Sequence, residues 1–156
     1  MRIIGGLMLS VGLLLAEQVE VIADKFNATE AAQKAVFTGN VKVTKGTDVL
    51  TSDVLTIFFN AQKEPLKYEA SGNAKGNITM NAIRYFAKGK LLTYDPNALV
   101  YTVQGDGFLH EIETDRKVYG ELITVDQTTG SYAVDSKPNE PVKFIFQMNK
   151  QKEEAQ

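Results

Sequence analysis

The sequence predicts an all-β fold of stacked antiparallel hairpins whose long strands bend, with open strand edges at both ends. Three observations predict it. The segments Phe37-Thr38-Gly39-Asn40-Val41, Ala70-Ser71-Gly72-Asn73-Ala74 and Val103-Gln104-Gly105-Asp106-Gly107 place their glycines at two intervals of 33 residues. A fixed period of that length marks an architecture of repeated units. Within each unit the hydropathy alternates with period two, as in a strand with one buried face. At equivalent places that alternation slips by one residue, which is the signature of a bulge that bends a strand.

The elements follow in chain order. Residues 1–16 are set apart from the domain, because Met1-Arg2 precede an uncharged, mostly apolar run from Ile3 to Leu15. Such a run is short for a spanning helix, which needs about 20 apolar residues. It is read as a signal peptide with Ala16 at the cleavage position, although Leu14 is larger than the small residue preferred there. A β-domain is expected over residues 17–147. It opens on a half unit, Ile22-Ala23-Asp24-Lys25-Phe26, which matches Thr51-Ser52-Asp53-Val54-Leu55. Thr29–Lys34 reads as one helical turn at most. In the first full strand Phe37, Val41 and Val43 share a face with Gly39, and Thr38, Asn40, Lys42 and Thr44 share the other. In the next strand Leu50 and Ser52 hold one parity while Leu55, Ile57 and Phe59 hold the other. The same slip separates Ala23 from Phe26, Gly89 from Leu92 and Gly120 from Ile123, so bulges are expected at Asp24, Asp53, Lys90 and Glu121. Turns are expected at Lys45-Gly46-Thr47-Asp48, Gly76-Asn77, Asp95-Pro96-Asn97, Thr114-Asp115-Arg116 and Thr128-Thr129-Gly130. The domain closes on a second half unit, Val142-Lys143-Phe144-Ile145-Phe146, and residues 148–156 form a polar tail.

Composition removes most chemistry. The 156 residues include no Cys and one His, with 17 basic and 19 acidic side chains. A thiolate metal site, a cysteine nucleophile and a disulfide scaffold are therefore excluded. A His-based relay is unsupported, and a net charge of -2 gives no nucleic-acid footprint. No motif for a nucleotide or other cofactor is present. Asp106, His110, Glu111, Glu113 and Asp115 are dense enough to suggest a metal or acid–base site. Strand alternation puts Glu111 opposite His110, however, and Asp115 begins a turn, so a solvated hairpin end is expected. Asp24, Asp53 and Glu121 recur at the bulges and are expected to accept hydrogen bonds there. Arg84, Lys88 and Lys90 are scattered and form no dense basic cluster.

Two features bear on function. Strands that fold over from one sheet to a facing sheet enclose a slot. Its predicted lining is Phe37, Val41, Val43, Leu55, Ile57, Phe59, Tyr68, Leu92, Tyr94, Tyr101, Val103, Ile123, Val125, Tyr132 and Phe144. Ala70, Gly72, Ala74 and Gly76 thin the filling in the middle, so either large neighbours close over them or a cavity remains. The half units should also leave unpaired backbone groups at both ends, where another copy or a related domain can add by strand pairing. Capping of those ends by the tail and by Thr29–Lys34 is the alternative.

The run Val21-Ile22-Ala23-Asp24, Phe37-Thr38-Gly39-Asn40-Val41-Lys42-Val43 and Leu50-Thr51-Ser52-Asp53-Val54-Leu55 resembles the OstA-like repeat of the LptA family. Its pattern is an apolar-Ala-Asp step, a Gly-Asn-Val segment with alternating apolar partners, and a second Ala-Asp-like step. Here Ser52 replaces the second Ala, and the later units (Gly72-Asn73-Ala74, Gly105-Asp106-Gly107) are degenerate. The resemblance implies a twisted β-jellyroll in the periplasm that carries lipopolysaccharide, with lipid A acyl chains in the slot and sugars in water. It also implies head-to-tail self-association between an LptC-like inner-membrane protein and an LptD-like outer-membrane protein. It implies no catalysis, no metal and no cofactor. Three rivals remain at this point: a membrane-tethered LptC-like subunit keeping residues 1–16, a structural β-filament with a dry core, and a glycan-active β-stack enzyme.

Overall fold

The computed structural model describes residues 18–149. The predicted signal peptide and most of the predicted tail lie outside them. Ten strands run in order: β1 (Val19–Ile22), β2 (Lys25–Thr29), β3 (Lys34–Lys45), β4 (Asp48–Phe59), β5 (Pro65–Met80), β6 (Ile83–Asp95), β7 (Val100–Glu111), β8 (Arg116–Asp126), β9 (Ser131–Asp135) and β10 (Lys143–Ile145). All pairings are antiparallel, and β3 to β8 form a meander in which each strand pairs with its sequence neighbours. The first rung is split into β1 and β2, both on β3, and the last into β9 and β10, both on β8.

Every long strand bends at its middle. Register shifts fall between Thr38 and Val41 in β3, Ser71 and Ala74 in β5, and Gln104 and Gly107 in β7. The causes are local. Gly39, Gly72 and Gly105 have φ of 85°, 75° and 82°, and the residues after them, Asn40, Asn73 and Asp106, also lie at positive φ. Two successive left-handed residues suit a Gly followed by Asn or Asp, whose short polar side chains tolerate that region. The strands opposite slip past with Asp53, Lys90 and Glu121. At the first rung the chain leaves the ladder at Asp24, whose N–H donates to the Gly39 carbonyl at 2.9 Å.

The bend divides the sheet into two facing arms. One holds β1, β10 and the segments 41–45, 48–52, 74–80, 83–89, 107–111 and 116–120. The other holds β2, β9 and the segments 34–38, 54–59, 65–71, 91–95, 100–104 and 122–126. Between them lies one continuous core built around Leu55, Ile123 and Val41, each no more than 1% exposed. The ladder hydrogen bonds run within each arm; the bends, side-chain packing and a hydrogen bond from Asn81 Nδ2 to the Gln127 carbonyl at 3.4 Å join the two.

Two local expectations are overturned. Thr29–Lys34 is not helical. Thr29 and Lys34 are the last pair of the β2–β3 hairpin, and a turn over residues 30–33 has Gln33 at φ 50°. Gly76-Asn77 is not a turn either. Gly76 lies within β5 opposite Ala87, and Ile78 and Met80 continue its inward parity. The reversal comes at Asn81-Ala82, both at positive φ, the geometry of a two-residue hairpin.

Candidate functional site

The site is the slot between the arms. Of the predicted lining, Val41, Leu55, Ile57, Leu92, Val103, Ile123 and Val125 are buried. Phe37, Val43, Phe59, Tyr68, Tyr101 and Tyr132 pack against them, half-buried. Tyr94 stacks on Tyr101, with ring centroids 4.3 Å apart, and lies 6.1 Å from Tyr68. Phe144 departs from expectation. It pairs with Val118, which is buried, yet it is 46% exposed because, among the described residues, β10 is the last strand and no further rung covers it. Its ring rests on Phe146 at 5.5 Å. Phe26 shows the same effect at the other end, 62% exposed with its ring 4.8 Å from Phe37.

Several inner residues escape the sequence reading: Leu50, Ile78, Met80, Tyr85, Ala87 and Leu109. The parity of Leu92, carried back through the bulge at Lys90, reaches Ala87 and Tyr85 and would have found them. A narrow apolar cavity of about 50 Å³ lies in the core, bordered by Ala70, Met80, Ala87 and Leu92 among others; of the four small residues of the middle unit only Ala70 borders it. A wider apolar mouth of about 200 Å³ lies next to it, with Leu50, Leu55, Tyr68, Ile78, Tyr94 and Tyr101 bordering both spaces. The mouth opens between Val19, Lys45 and Asp48 on one arm and Pro96 on the other. Two charged side chains, Lys45 and Asp48, stand at this rim beside Val19 and Pro96, and Lys45 Nζ lies 5.8 Å from the Tyr94 ring centre. Burial raises the phenols of Tyr68 and Tyr85 above the ordinary tyrosine value, so both stay protonated at neutral pH. The geometry is that of a receptacle for an apolar chain with a polar group at its end.

The acidic candidates separate into local pairs. Arg84 Nε donates to Glu113 Oε1 at 2.6 Å, Arg116 lies 3.8 Å from Glu111, and Asp106 faces Lys90 and Lys137 at 3.7 and 3.6 Å. Among the described residues no group of three metal-ligating side chains forms. The bulge acids hold the bends: Asn40 donates to Asp24 at 2.9 Å, Asn73 to Asp53 at 3.3 Å, and the Asp106 N–H to Glu121 at 3.4 Å.

Asp115 fastens the last rung. His110 Nε2 donates to it at 2.8 Å, Gln147 Nε2 at 3.3 Å, and Lys117 Nζ lies 3.8 Å away. The His110 bond first, then the Lys117 charge, hold its carboxyl below the ordinary carboxylate value. A depressed folded-state value stabilises above the unfolded carboxylate range, near about 3.9, and that stabilisation is lost as pH falls through the folded value. Acidification below that range is therefore expected to free Gln147, read as movement of its side-chain amide NMR signals. An unchanged titration of those signals in Asp115→Asn would exclude Asp115 as the fastening group.

The family model for the LptA/(LptD N-terminal domain) LPS transport protein matches residues 20–131. The chain belongs to this family. The match runs from β1 to the first residue of β9 and so takes in all six long bent strands. This Lpt-family protein also resembles a solved structure of LptH from Pseudomonas aeruginosa, described as the LptA homologous periplasmic component of the conserved lipopolysaccharide transport device. The TM-score is 0.74 at 18% identity, covering 85% of this chain and 96% of that one, a likeness of fold. A search of curated proteins by sequence finds no match. The fold is thus the twisted, unclosed β-jellyroll of LptA proteins, and the protein is a lipopolysaccharide-transport component rather than an enzyme.

Proposed function

We propose that the protein works in the periplasm as a bridge that carries lipopolysaccharide from the inner to the outer membrane, acyl chains shielded between its arms. The apolar slot, narrow in its middle and open at a mouth with Lys45 and Asp48 on its rim, carries this reading. Each acyl methylene taken out of water gains about 0.8 kcal/mol, so the chains need such cover along the whole route. A lining of similar apolar residues from rung to rung offers no deep trap, and the lipid can pass along it. The inner 50 Å³ is too small for an acyl chain, so loading requires the arms to part. Parting them breaks side-chain contacts but no ladder hydrogen bond, because those bonds run within each arm.

The same reading assigns the ends. Among the described residues β1 and β2 pair only with β3, and β9 and β10 only with β8. Exposed Ile22 and Phe26 flank one edge, and exposed Phe144, Ile145 and Phe146 the other. Each edge can take a further strand, from another copy or from an LptC-like or LptD-like partner.

Photocrosslinking in cells tests the slot, with the probe at Leu55 and separately at Thr56. Leu55 faces the slot at 1% exposure, and Thr56 leaves the opposite side of β4. A lipopolysaccharide adduct at Leu55 and none at Thr56 is expected. Adducts at neither position, in folded and exported protein, would leave a dry core and put the β-filament reading first.

A further inference from the structure

The outer face of the arm that holds β1 and β10 carries a pattern unrelated to the slot. The register aligns one cross-strand row: Lys42 with Thr51, Thr51 with Lys75, Lys75 with Lys88, Lys88 with Phe108, Phe108 with Tyr119, and Tyr119 with Lys143. Adjacent strands lie about 4.8 Å apart, so this row spans about 29 Å. Beside it Phe86, His110 and Lys117 stand in register in a second row. The rings form a cluster, with Phe108 4.8 Å from Tyr119 and 6.1 Å from both Phe86 and His110. Lys143 Nζ sits 4.4 Å from the centre of the Tyr119 ring. The four rings are partly exposed on a solvent-side face.

The arrangement has a cost that folding does not explain. Lys75 and Lys88 are like charges directly opposite one another, which destabilises a sheet. Lys42, Lys75 and Lys88 are exposed, and no acid stands in their row between Lys42 and Lys143. Carboxylates border the stripe instead: Asp53, Asp106 and Glu121 along the bend, Asp115 against His110 and Lys117 at the edge of the second row, and Glu113 at the tip of the β7–β8 hairpin. A broad anionic surface would meet those acids, whereas a single anionic chain lying along the stripe would not. The stripe crosses the strands on their face, away from the open edges, so a peptide there gains no backbone hydrogen bonds. Partly exposed rings between ammonium groups suit sugar rings that carry acidic groups.

We propose that this stripe, from Lys42 to Lys143, binds a linear anionic glycan, its phosphates or carboxylates on the lysines and its sugars on Phe108 and Tyr119. The proposal does not rest on the slot reading. Because the stripe lies on the outer face, the side opposite the slot, its occupant is an acidic polysaccharide separate from the transported glycolipid.

Calorimetric titration of the full chain tests it, with an oligogalacturonate, a neutral maltodextrin, a poly-glutamate of similar length, and a deacylated phosphorylated oligosaccharide prepared from lipopolysaccharide. Oligogalacturonate is expected to bind, to weaken as salt rises, and to lose about ten-fold in affinity in Lys75→Gln/Lys88→Gln. Lys90→Gln, at the bend, should leave it unchanged. Equal or weaker binding of the deacylated oligosaccharide is expected, and binding at least about ten-fold tighter would overturn the assignment in favour of the cargo's own sugars. Equal affinity for poly-glutamate, for maltodextrin, or in the double variant would overturn the proposal. Circular dichroism of the double variant confirms its fold, since both lysines are exposed.

Discussion

Leu55→Ala is expected to lower the free energy of unfolding by about 3 kcal/mol, inside the range of about 2–5 kcal/mol for buried leucines. Leu55 is 1% exposed and packs where the arms meet. It borders both the inner 50 Å³ cavity and the 200 Å³ mouth. Its loss therefore removes burial and also enlarges both spaces. Urea unfolding measures the change, with Leu66→Ala as the reference. Leu66 is 42% exposed, and its truncation should stay within about 0.5 kcal/mol. A medium-chain detergent below its micelle concentration should then recover part of the loss in Leu55→Ala, because a ligand that binds only the folded state stabilises it. A loss below about 1 kcal/mol would mean that the arms stand apart in solution.

Gly72→Ala is expected to cost about 3 kcal/mol or more, from two independent sources. The φ of 75° is strained for any residue with a Cβ. An added Cβ would also stand 2.6 Å from Asp53 Oδ2 and 2.8 Å from Asp53 Cβ. The carboxylate can swing away, but the Cβ is fixed by the bulge in β4. Gly46→Ala separates the two effects, since Gly46 has φ 58° and a Cβ added there would have nothing within 4 Å. That change should cost only about 1 kcal/mol. Equal costs at both positions would show that the bends tolerate a side chain and that conformation alone selects glycine.

The bends were legible because a one-residue slip in a period-two pattern reverses every later side chain. Ser52 and Leu55 could not share a face without an extra residue between them, and both are buried. Other features depended on neighbours that a linear reading does not see. Phe144 has the right parity, but its exposure follows from being on the last strand. Gly76-Asn77 has turn chemistry, yet the inward Ile78 and Met80 keep β5 running four residues further. The Thr29–Lys34 segment has helix-forming residues in a span too short for anything but a hairpin turn. The lysine and aromatic stripe escaped altogether, because Lys42, Lys75, Phe108 and Lys143 are brought into line only by register across seven strands.

The meander has a kinetic consequence. From β3 to β8 each strand finds its partner immediately before or after it in the chain. Loop-closure entropy is therefore met in small successive steps, one hairpin at a time, instead of in one long-range closure. Each added rung meets an edge much like the one before it, so the sheet can grow from its N-terminal rungs as chain becomes available. A topology of this kind lets a protein that begins unfolded assemble in the order of its sequence.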